Sequence, residues 1–186
     1  MSTPTGPVDG PDGGRSEAVL VRTGATDPVT ALGAASRAPE DGPLLVVVAT
    51  VPRERLERRL AEAGWDPDEA LVVDFVAPSE GSVRDGSGRI HGDIAGLSME
   101  IVGRFDALAE EGGVVYLDSL EPFAATAGFE SAFRFLVIVA ARARAAGVPL
   151  VARLDPDAVD PVTAGTLAEA FDRVVEGPAD GTSPGV

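Results

Sequence analysis

Short apolar runs alternate with longer amphipathic stretches along most of the chain. The runs are rich in Val, Leu and Ala at consecutive positions, which is typical of strands buried on both faces. They predict five strands, at 18–21, 44–49, 71–76, 114–117 and 148–152, and a further run at 171–175 that is either a final strand or a helical end.

Apolar residues recur at helical spacing between these runs. The pattern predicts helices around 29–37, 52–63, 97–110, 129–146 and 161–170. The helix at 129–146 is apolar on most of its faces, so we expect neighbouring elements to cover it largely. Strands and helices that alternate in this way form βαβ crossovers, so the sequence predicts a three-layer α/β/α fold around a mainly parallel sheet.

The two ends of the chain and one internal stretch lack such patterns. Residues 1–17 and 177–186 consist mostly of Pro, Gly, Asp, Ser and other small residues. We expect both to be disordered tails that flank a single domain at 18–176. Residues 78–96 are rich in Gly and Ser without periodicity, so we expect the longest internal loop there, with a functional or mobile role.

Composition and charge exclude several classes of site and partner. The chain of 186 residues has 30 acidic and 15 basic side chains, a net charge of -15, no Cys and one His. The lack of Cys excludes disulfides, cysteine-ligated zinc and a thiol nucleophile, and a single His excludes a poly-histidine metal centre. A body this negative repels phosphate backbones and anionic lipids, so we expect no nucleic-acid or membrane partner.

The composition also indicates the kind of organism and the cellular location of the protein. All 15 basic residues are Arg. A composition with many carboxylates and no Lys is similar to that of proteins from salt-accumulating halophilic archaea. In those cells, molar salt screens the repulsion between the carboxylates of a protein. The chain has no secretory signal, and its apolar runs are far shorter than the ~20 residues that span a bilayer, so the sequence predicts a cytoplasmic protein.

Polar residues follow the predicted strands at their carboxyl ends, where ligands bind in open parallel sheets. In chain order they are Thr23 to Thr30, Thr50, Asp74, Asp118 with Ser119, and Asp155. We expect any ligand site to lie among these residues.

The order of short segments along 18–176 resembles the RecA-like ATPases of the KaiC type, and especially their short archaeal relatives with a degenerate nucleotide site. The similar segments are 18–21 before a Gly-containing turn, 44–50, 63–66, 72–74, 114–120, the Gly-Phe-Glu-Ser segment with its following apolar helix, and 154–156. Their order and spacing carry the resemblance, because no single motif is specific. The resemblance implies the RecA-like P-loop NTPase fold.

Members of this family bind ATP through a phosphate loop of the form G-x-x-x-x-G-K-[ST], whose amides and Lys hold the phosphates. In the matching stretch 24–30, Gly24 and Thr30 agree with the motif, whereas the second Gly and the Lys have no counterpart. Asp27 adds negative charge where phosphate would bind, and Pro28 removes an amide donor. We therefore predict that this turn does not bind ATP in the usual way.

Two further family positions concern catalysis. Active relatives carry a Glu at the end of the second strand that orients the attacking water, and Thr50 and Val51 stand there in this chain. Asp118 matches the Walker B aspartate, which holds the Mg²⁺ bound to nucleotide. Without a phosphate loop, that aspartate has little to act on.

These features predict a non-catalytic domain with a regulatory or scaffolding role, in archaeal signal transduction or as the partner of an active ATPase. Such a domain has a protein partner and needs no cofactor and no metal. The alternative is an ATPase with an unorthodox phosphate loop, in which Gly24, Thr30, Asp118 and Ser119 bind ATP and Asp118 binds Mg²⁺. The sequence leaves the oligomeric state open.

Two other signalling and binding folds lack their key residues. A receiver-like domain relies on a Lys at the end of its fifth strand, and a dinucleotide-binding domain on G-x-G-x-x-G after its first strand. The chain has neither.

Other conspicuous side chains have structural explanations that we prefer. We expect turn-stabilising roles for Asp74, Asp118 and Asp155, an exposed loop position for His91, packing at the sheet edge for Trp65, core positions for Phe123, Phe129, Phe133 and Phe135, and exposed ion pairs for Arg53, Arg55, Arg58 and Arg59.

Overall fold

The computed structural model describes residues 16–24, 28–35, 42–49, 52–62, 64–66, 70–76, 89–91 and 93–177. The strands are β1 (Ala18–Arg22), β2 (Leu44–Val48), β3 (Leu71–Val76), β4 (Arg89–His91), β5 (Val114–Leu117), β6 (Leu150–Leu154) and β7 (Arg173–Glu176). The helices are α1 (Pro28–Ala34), α2 (Arg53–Glu62), α3 (Ile94–Val102), α4 (Phe105–Glu111), α5 (Glu121–Ala127), α6 (Phe129–Ala146) and α7 (Pro161–Ala168).

The strands form one sheet in the order β4-β3-β2-β5-β6-β1-β7, and every described pairing is parallel. The central strands β2, β5 and β6 are buried along their whole length. Their continuous apolar sequences follow from this position, since a central strand of a parallel sheet contacts helices on both faces. The predicted parallel sheet is confirmed.

Helices cover the sheet on both sides. Helices α3 to α7 pack on one face, where residues such as Leu97, Phe123 and Leu136 form a core with alternate strand residues. Helices α1 and α2 pack on the other face through residues such as Leu32 and Leu56. The predicted three-layer α/β/α arrangement is therefore confirmed.

Several predicted boundaries differ from the structure, and the two largest differences occur at a glycine. Strand β6 begins and ends two residues later than expected, because Gly147 and Val148 form the C-terminal cap of α6. The Val148 amide donates to the Ala143 carbonyl at 2.9 Å. The single helix expected at 97–110 is two helices, α3 and α4, with Gly103 between them. Asp93 caps α3 by accepting from the Gly96 amide at 2.9 Å.

The predicted loop at 78–96 is shorter than expected. Strand β4 lies within it and pairs with β3, so His91 is a strand residue and not a loop residue. The loop also ends early, because α3 begins at Ile94. A strand of three residues is too short to produce a recognisable alternation of polar and apolar positions. The remainder of this predicted loop lies outside the described residues.

Helix α5 was not predicted, and the run at 171–175 contains the beginning of strand β7 rather than a helical end. The outward side of α6 also differs from expectation, because Val137 and Ile138 are exposed instead of covered. Phe123 and Phe135 occupy the core as predicted, Phe133 is half-buried, and the core position predicted for Phe129 is wrong.

Candidate functional site

The turns that leave β1, β5 and β6 lie side by side at the carboxyl edge of the sheet. The Thr23 amide donates to the Leu154 carbonyl at 3.0 Å, and the Leu120 amide donates to the Arg153 carbonyl at 3.2 Å. On the other side of β5, the Asp118 amide donates to the Val47 carbonyl at 2.9 Å. Backbone hydrogen bonds therefore join the turns after β1 and β5 to neighbouring strands.

A buried arginine connects two of these turns. Arg153 is the second-last residue of β6, which lies between β5 and β1, and only 3% of its surface is exposed. Its neighbours Ala152 and Leu154 belong to the core on the α3 to α7 side. Because successive strand residues point to opposite faces, the side chain of Arg153 lies on the α1 and α2 side.

The guanidinium of Arg153 binds to backbone on both sides. Its Nε donates to the Asp118 carbonyl at 2.6 Å, and its Nη1 donates to the Thr23 carbonyl at 3.4 Å. The same Nε lies 4.0 Å from Oδ1 of Asp118, so the two side chains also form an ion pair. Arg153 thus bridges the turn after β5 and the turn after β1.

Asp118 is almost completely buried, with 1% of its surface exposed. A buried carboxylate is strongly destabilising unless a cation or hydrogen-bond donors compensate its charge. Arg153 provides an internal cation for this carboxylate. The sequence suggested that Asp118 stabilises its own turn, whereas the structure adds a partner from another strand.

A second side chain ties the turns after β5 and β6 together. Glu121, the first residue of α5, accepts a hydrogen bond from the Ser119 hydroxyl with one carboxylate oxygen and from the Asp155 amide with the other. Ser119 is buried, with 1% of its surface exposed. Its hydroxyl is therefore part of a structural link between the two turns.

The structure places the residues of the predicted nucleotide site as follows. Asp118 and Ser119 lie together after β5, and Gly24 follows Thr23, whose carbonyl Arg153 binds. Thr30 is half-buried in the first turn of α1, which begins at Pro28. The predictions that concern Asp27, Thr50 and Val51 lie outside the described residues.

Three of the structural explanations are supported by contacts. Oδ1 of Asp155 accepts from the Asp157 amide at 3.0 Å, so this aspartate does initiate a turn. On α2, Arg53 pairs with Glu57 at 2.9 Å, and Arg59 pairs with Glu62 at 3.2 Å.

Two more of the predicted structural residues can be placed. Asp74 lies within β3 and not after it, 4.0 Å from Nη1 of Arg53. Trp65 is buried in the core on the α1 and α2 side.

Arg153 and Glu121 were both missed from the sequence. Arg153 is the one charged residue in the run Leu150–Leu154. Because this strand is buried along its whole length, a charged side chain in it needs a buried partner, which would have been the signal if the strand had been placed correctly. The prediction ended the strand at Ala152 and so left Arg153 in the following turn. Glu121 had no comparable signal, because α5 itself was not recognised.

A cavity of about 580 Å³ lies at the opposite edge of the sheet. Its lining includes Leu44 and Leu71, the first residues of β2 and β3, together with Trp65. The Arg104 guanidinium at this cavity is engaged by Glu100, whose Oε1 accepts from Arg104 Nε at 3.1 Å. This cavity is separate from the strand ends that carry Asp118 and Arg153.

Within the described part of the chain, no three His, Asp or Glu side chains come together in a way that could hold a metal ion. The helices of the same residues include none with the length and apolar character needed to cross a membrane.

A family model matches residues 12–177, almost the whole chain. The chain belongs to DUF7504, a family of unknown function. No curated protein matches this DUF7504 chain.

Among solved structures, the DUF7504 chain is similar to a KaiC-like protein from the hyperthermophilic archaeon Pyrococcus horikoshii OT3. The TM-score is 0.57 at 16% sequence identity, and the match covers 87% of this chain and 72% of the other. At this identity the similarity shows the fold alone. The DUF7504 chain therefore has a RecA/KaiC-like fold, as the sequence suggested.

Proposed function

We propose that this chain is a non-catalytic RecA/KaiC-like domain with a regulatory or scaffolding role. Its partner is a protein, either an active ATPase or a component of signal transduction, and its location is the cytoplasm. The observation that carries the proposal is the buried contact between Arg153 and Asp118. The degenerate phosphate loop read from the sequence supports the same conclusion.

The contacts of Arg153 argue against ATP with Mg²⁺ as a ligand. An Mg²⁺ site needs carboxylate oxygens that are open to the ion and to its bound waters. Asp118 is buried and has Arg153 as its cation, at 4.0 Å. A second cation beside this guanidinium would be repelled, and the guanidinium itself is directed at the carbonyls of Thr23 and Asp118.

Thermal unfolding in the presence of ATP and Mg²⁺ tests this proposal. We expect no change in the melting temperature of the wild-type chain, at low or at high KCl. A ligand at 100 times its Kd would add ~2.7 kcal/mol to the unfolding free energy. In a domain of this size such a gain corresponds to a rise of roughly 5–10 °C, which an intact KaiC-like ATPase should show as the positive control.

The Thr30→Ala variant separates specific from non-specific binding in this experiment. A rise in the wild-type melting temperature that Thr30→Ala abolishes would contradict the proposal and favour the ATP-binding alternative. The scaffolding role is tested by purification from the native cell at high KCl. We expect a stoichiometric ATPase or receptor to remain bound, and recovery of the chain alone would count against the role.

A further inference from the structure

The cavity at the edge where β2 and β3 begin is enclosed by segments that backbone hydrogen bonds hold in place. Before β2, the Pro43 carbonyl accepts from the Val114 amide of β5 at 3.0 Å. After α2, the Trp65 amide donates to the Leu60 carbonyl at 2.9 Å. Helix α4 forms the third wall, and the volume is about 580 Å³. A concave space of this size, with walls fixed by the fold, is typical of small-molecule sites.

Leu71 gives the cavity an apolar surface that the core leaves uncovered. It is the first residue of β3, which lies between β4 and β2, and yet 39% of its surface is exposed. Its partner in β2 is Leu45, a fully buried residue of the core on the α3 to α7 side. Paired residues share a face of the sheet, so Leu71 lies on the same side as α4. An apolar group that enters the cavity would remove this surface from water.

One face of α4 provides the charged groups of the cavity. Arg104, Ala107, Leu108 and Glu111 all line it, and their spacing of three and four residues places them on the same side of the helix. Arg104 Nε donates to Oε1 of Glu100 at 3.1 Å, so an acidic neighbour already compensates the guanidinium. The carboxylate of Glu111 is the other charge on this face.

Glu111 lies where a cation is favoured. It is the last residue of α4, at the negative end of the helix dipole, and α4 has no basic residue in its last turn. Across the described ranges, no arginine forms an ion pair with Glu111. Asp66 adds a second carboxylate to the lining. A concave surface of this sign, on a chain of net charge -15, concentrates cations.

We propose that this cavity binds a small organic cation, an amine with an aromatic or branched apolar body. The apolar body contacts Leu71 and Trp65, and the ammonium group pairs with the Glu111 carboxylate. An organic anion has no equivalent partner, because the Arg104 guanidinium is bound by Glu100. The cavity lies at the opposite edge of the sheet from the predicted nucleotide site, so this inference does not depend on the proposed function.

The probe is phenethylamine, compared with phenethyl alcohol and hydrocinnamate, which carry a neutral and an anionic group on a similar body. Trp65 is the one Trp of the chain, so its indole N–H gives a single assigned signal in a nitrogen–proton NMR spectrum. We expect phenethylamine to shift this signal saturably. At low salt it should bind about two- to fivefold more tightly than the alcohol, as for one exposed ion pair. Hydrocinnamate should bind most weakly, and KCl should reduce these preferences.

Two pairs of variants locate the site on α4. Ala107→Phe fills the cavity, and Ala109→Phe is its control, because Ala109 is exposed on the same helix and does not line the cavity. We expect Ala107→Phe to weaken phenethylamine binding at least about tenfold, and Ala109→Phe to bind as the wild type does. Glu111→Gln should remove the preference for the amine over the alcohol, whereas Glu110→Gln, outside the cavity, should keep it. All four positions are exposed, so the melting temperature should remain that of the wild type.

Several results would overturn the proposal. They are a Trp65 signal that phenethylamine does not shift saturably, equal affinity for the amine, the alcohol and the carboxylate at low salt, and equal effects of Ala107→Phe and Ala109→Phe. Equal loss of the amine preference in Glu111→Gln and Glu110→Gln would show that the net charge of the chain, and not this site, attracts the cation.

Discussion

Replacement of Arg153 by methionine tests whether this residue holds the carboxyl edge of the sheet together. Methionine keeps an unbranched side chain of similar length and removes the guanidinium. The change eliminates two hydrogen bonds to backbone carbonyls and the ion pair with Asp118. It leaves a carboxylate that is 1% exposed without its cation.

The structure indicates a large loss of stability. Removal of one partner of a buried ion pair typically lowers the free energy of unfolding by about 3–5 kcal/mol. For a chain of this size, that loss corresponds to a fall of roughly 6–20 °C in melting temperature. Arg134→Met is the matched control. Its ion pair with Glu130 is exposed, so the change should lower stability by less than about 1 kcal/mol.

A second substitution determines whether the loss arises from the carboxylate. In the wild type, Asp118→Asn removes the charge but keeps an acceptor, and we expect it to lower stability by about 1–3 kcal/mol. In the Arg153→Met background, the ion pair between Asp118 and Arg153 is already absent, so the same change no longer removes it. It should therefore lower stability by less than in the wild type, and the difference is a coupling energy of about 1–3 kcal/mol.

Urea unfolding of the four proteins in this cycle, at one pH and one KCl concentration, measures these differences. Two results would refute the reasoning. One is a stability loss in Arg153→Met no larger than that in Arg134→Met. The other is an Asp118→Asn effect of equal size and sign in both backgrounds.

Three further changes probe the core, the turns and the acid stability. Phe123→Ala removes a fully buried ring whose centroid lies 4.8 Å and 5.5 Å from two other phenylalanine rings, and urea unfolding should show a loss of about 3–5 kcal/mol. Gly113→Ala places a Cβ 2.7 Å from the Pro43 carbonyl oxygen, and the same assay should show a loss of about 1–3 kcal/mol. Burial raises the pKa of Asp172, but hydrogen bonds from Arg144 and a backbone amide outweigh it and hold the pKa below its ordinary value of 3.8. The stability that this carboxylate contributes is present above pH 3.8 and is lost as the pH falls through the lower folded pKa. In Asp172→Asn, the free energy of unfolding should therefore fall less steeply as the pH is lowered in the acid range.

The strands could be predicted from the sequence because central parallel strands are apolar on both faces. The same rule failed at β6, where the apolar run begins at Val148 but the strand begins at Leu150. Gly147 has φ 81°, and the amides of Gly147 and Val148 donate to carbonyls in the last turn of α6. Val148 is apolar because it closes a Schellman motif, which carries a hydrophobic contact of its own.

The site was harder to predict because its contacts join distant parts of the chain. Arg153 is 35 residues from Asp118 and 130 residues from Thr23. The sequence placed the last two residues at strand ends, but only the strand order puts β6 between β5 and β1. A two-residue error in the boundary of β6 was sufficient to hide the residue that bridges them.

The bridge has a consequence for how the proposed scaffold works. In the ATPases that this chain resembles, nucleotide and Mg²⁺ supply the charges that join the phosphate loop to the Walker B aspartate. Here Arg153 donates to the carbonyls of Thr23 and Asp118, so a side chain of the protein itself joins the turns after β1 and β5. A ligand shifts a conformational equilibrium only if it binds the two conformations with different affinities. Under the proposed function ATP does not bind, so it shifts no such equilibrium. The stability of the wild type should therefore be the same with and without ATP and Mg²⁺, and urea unfolding can measure this directly. A nucleotide-dependent stability that Thr30→Ala abolishes would show that the strand ends bind a ligand.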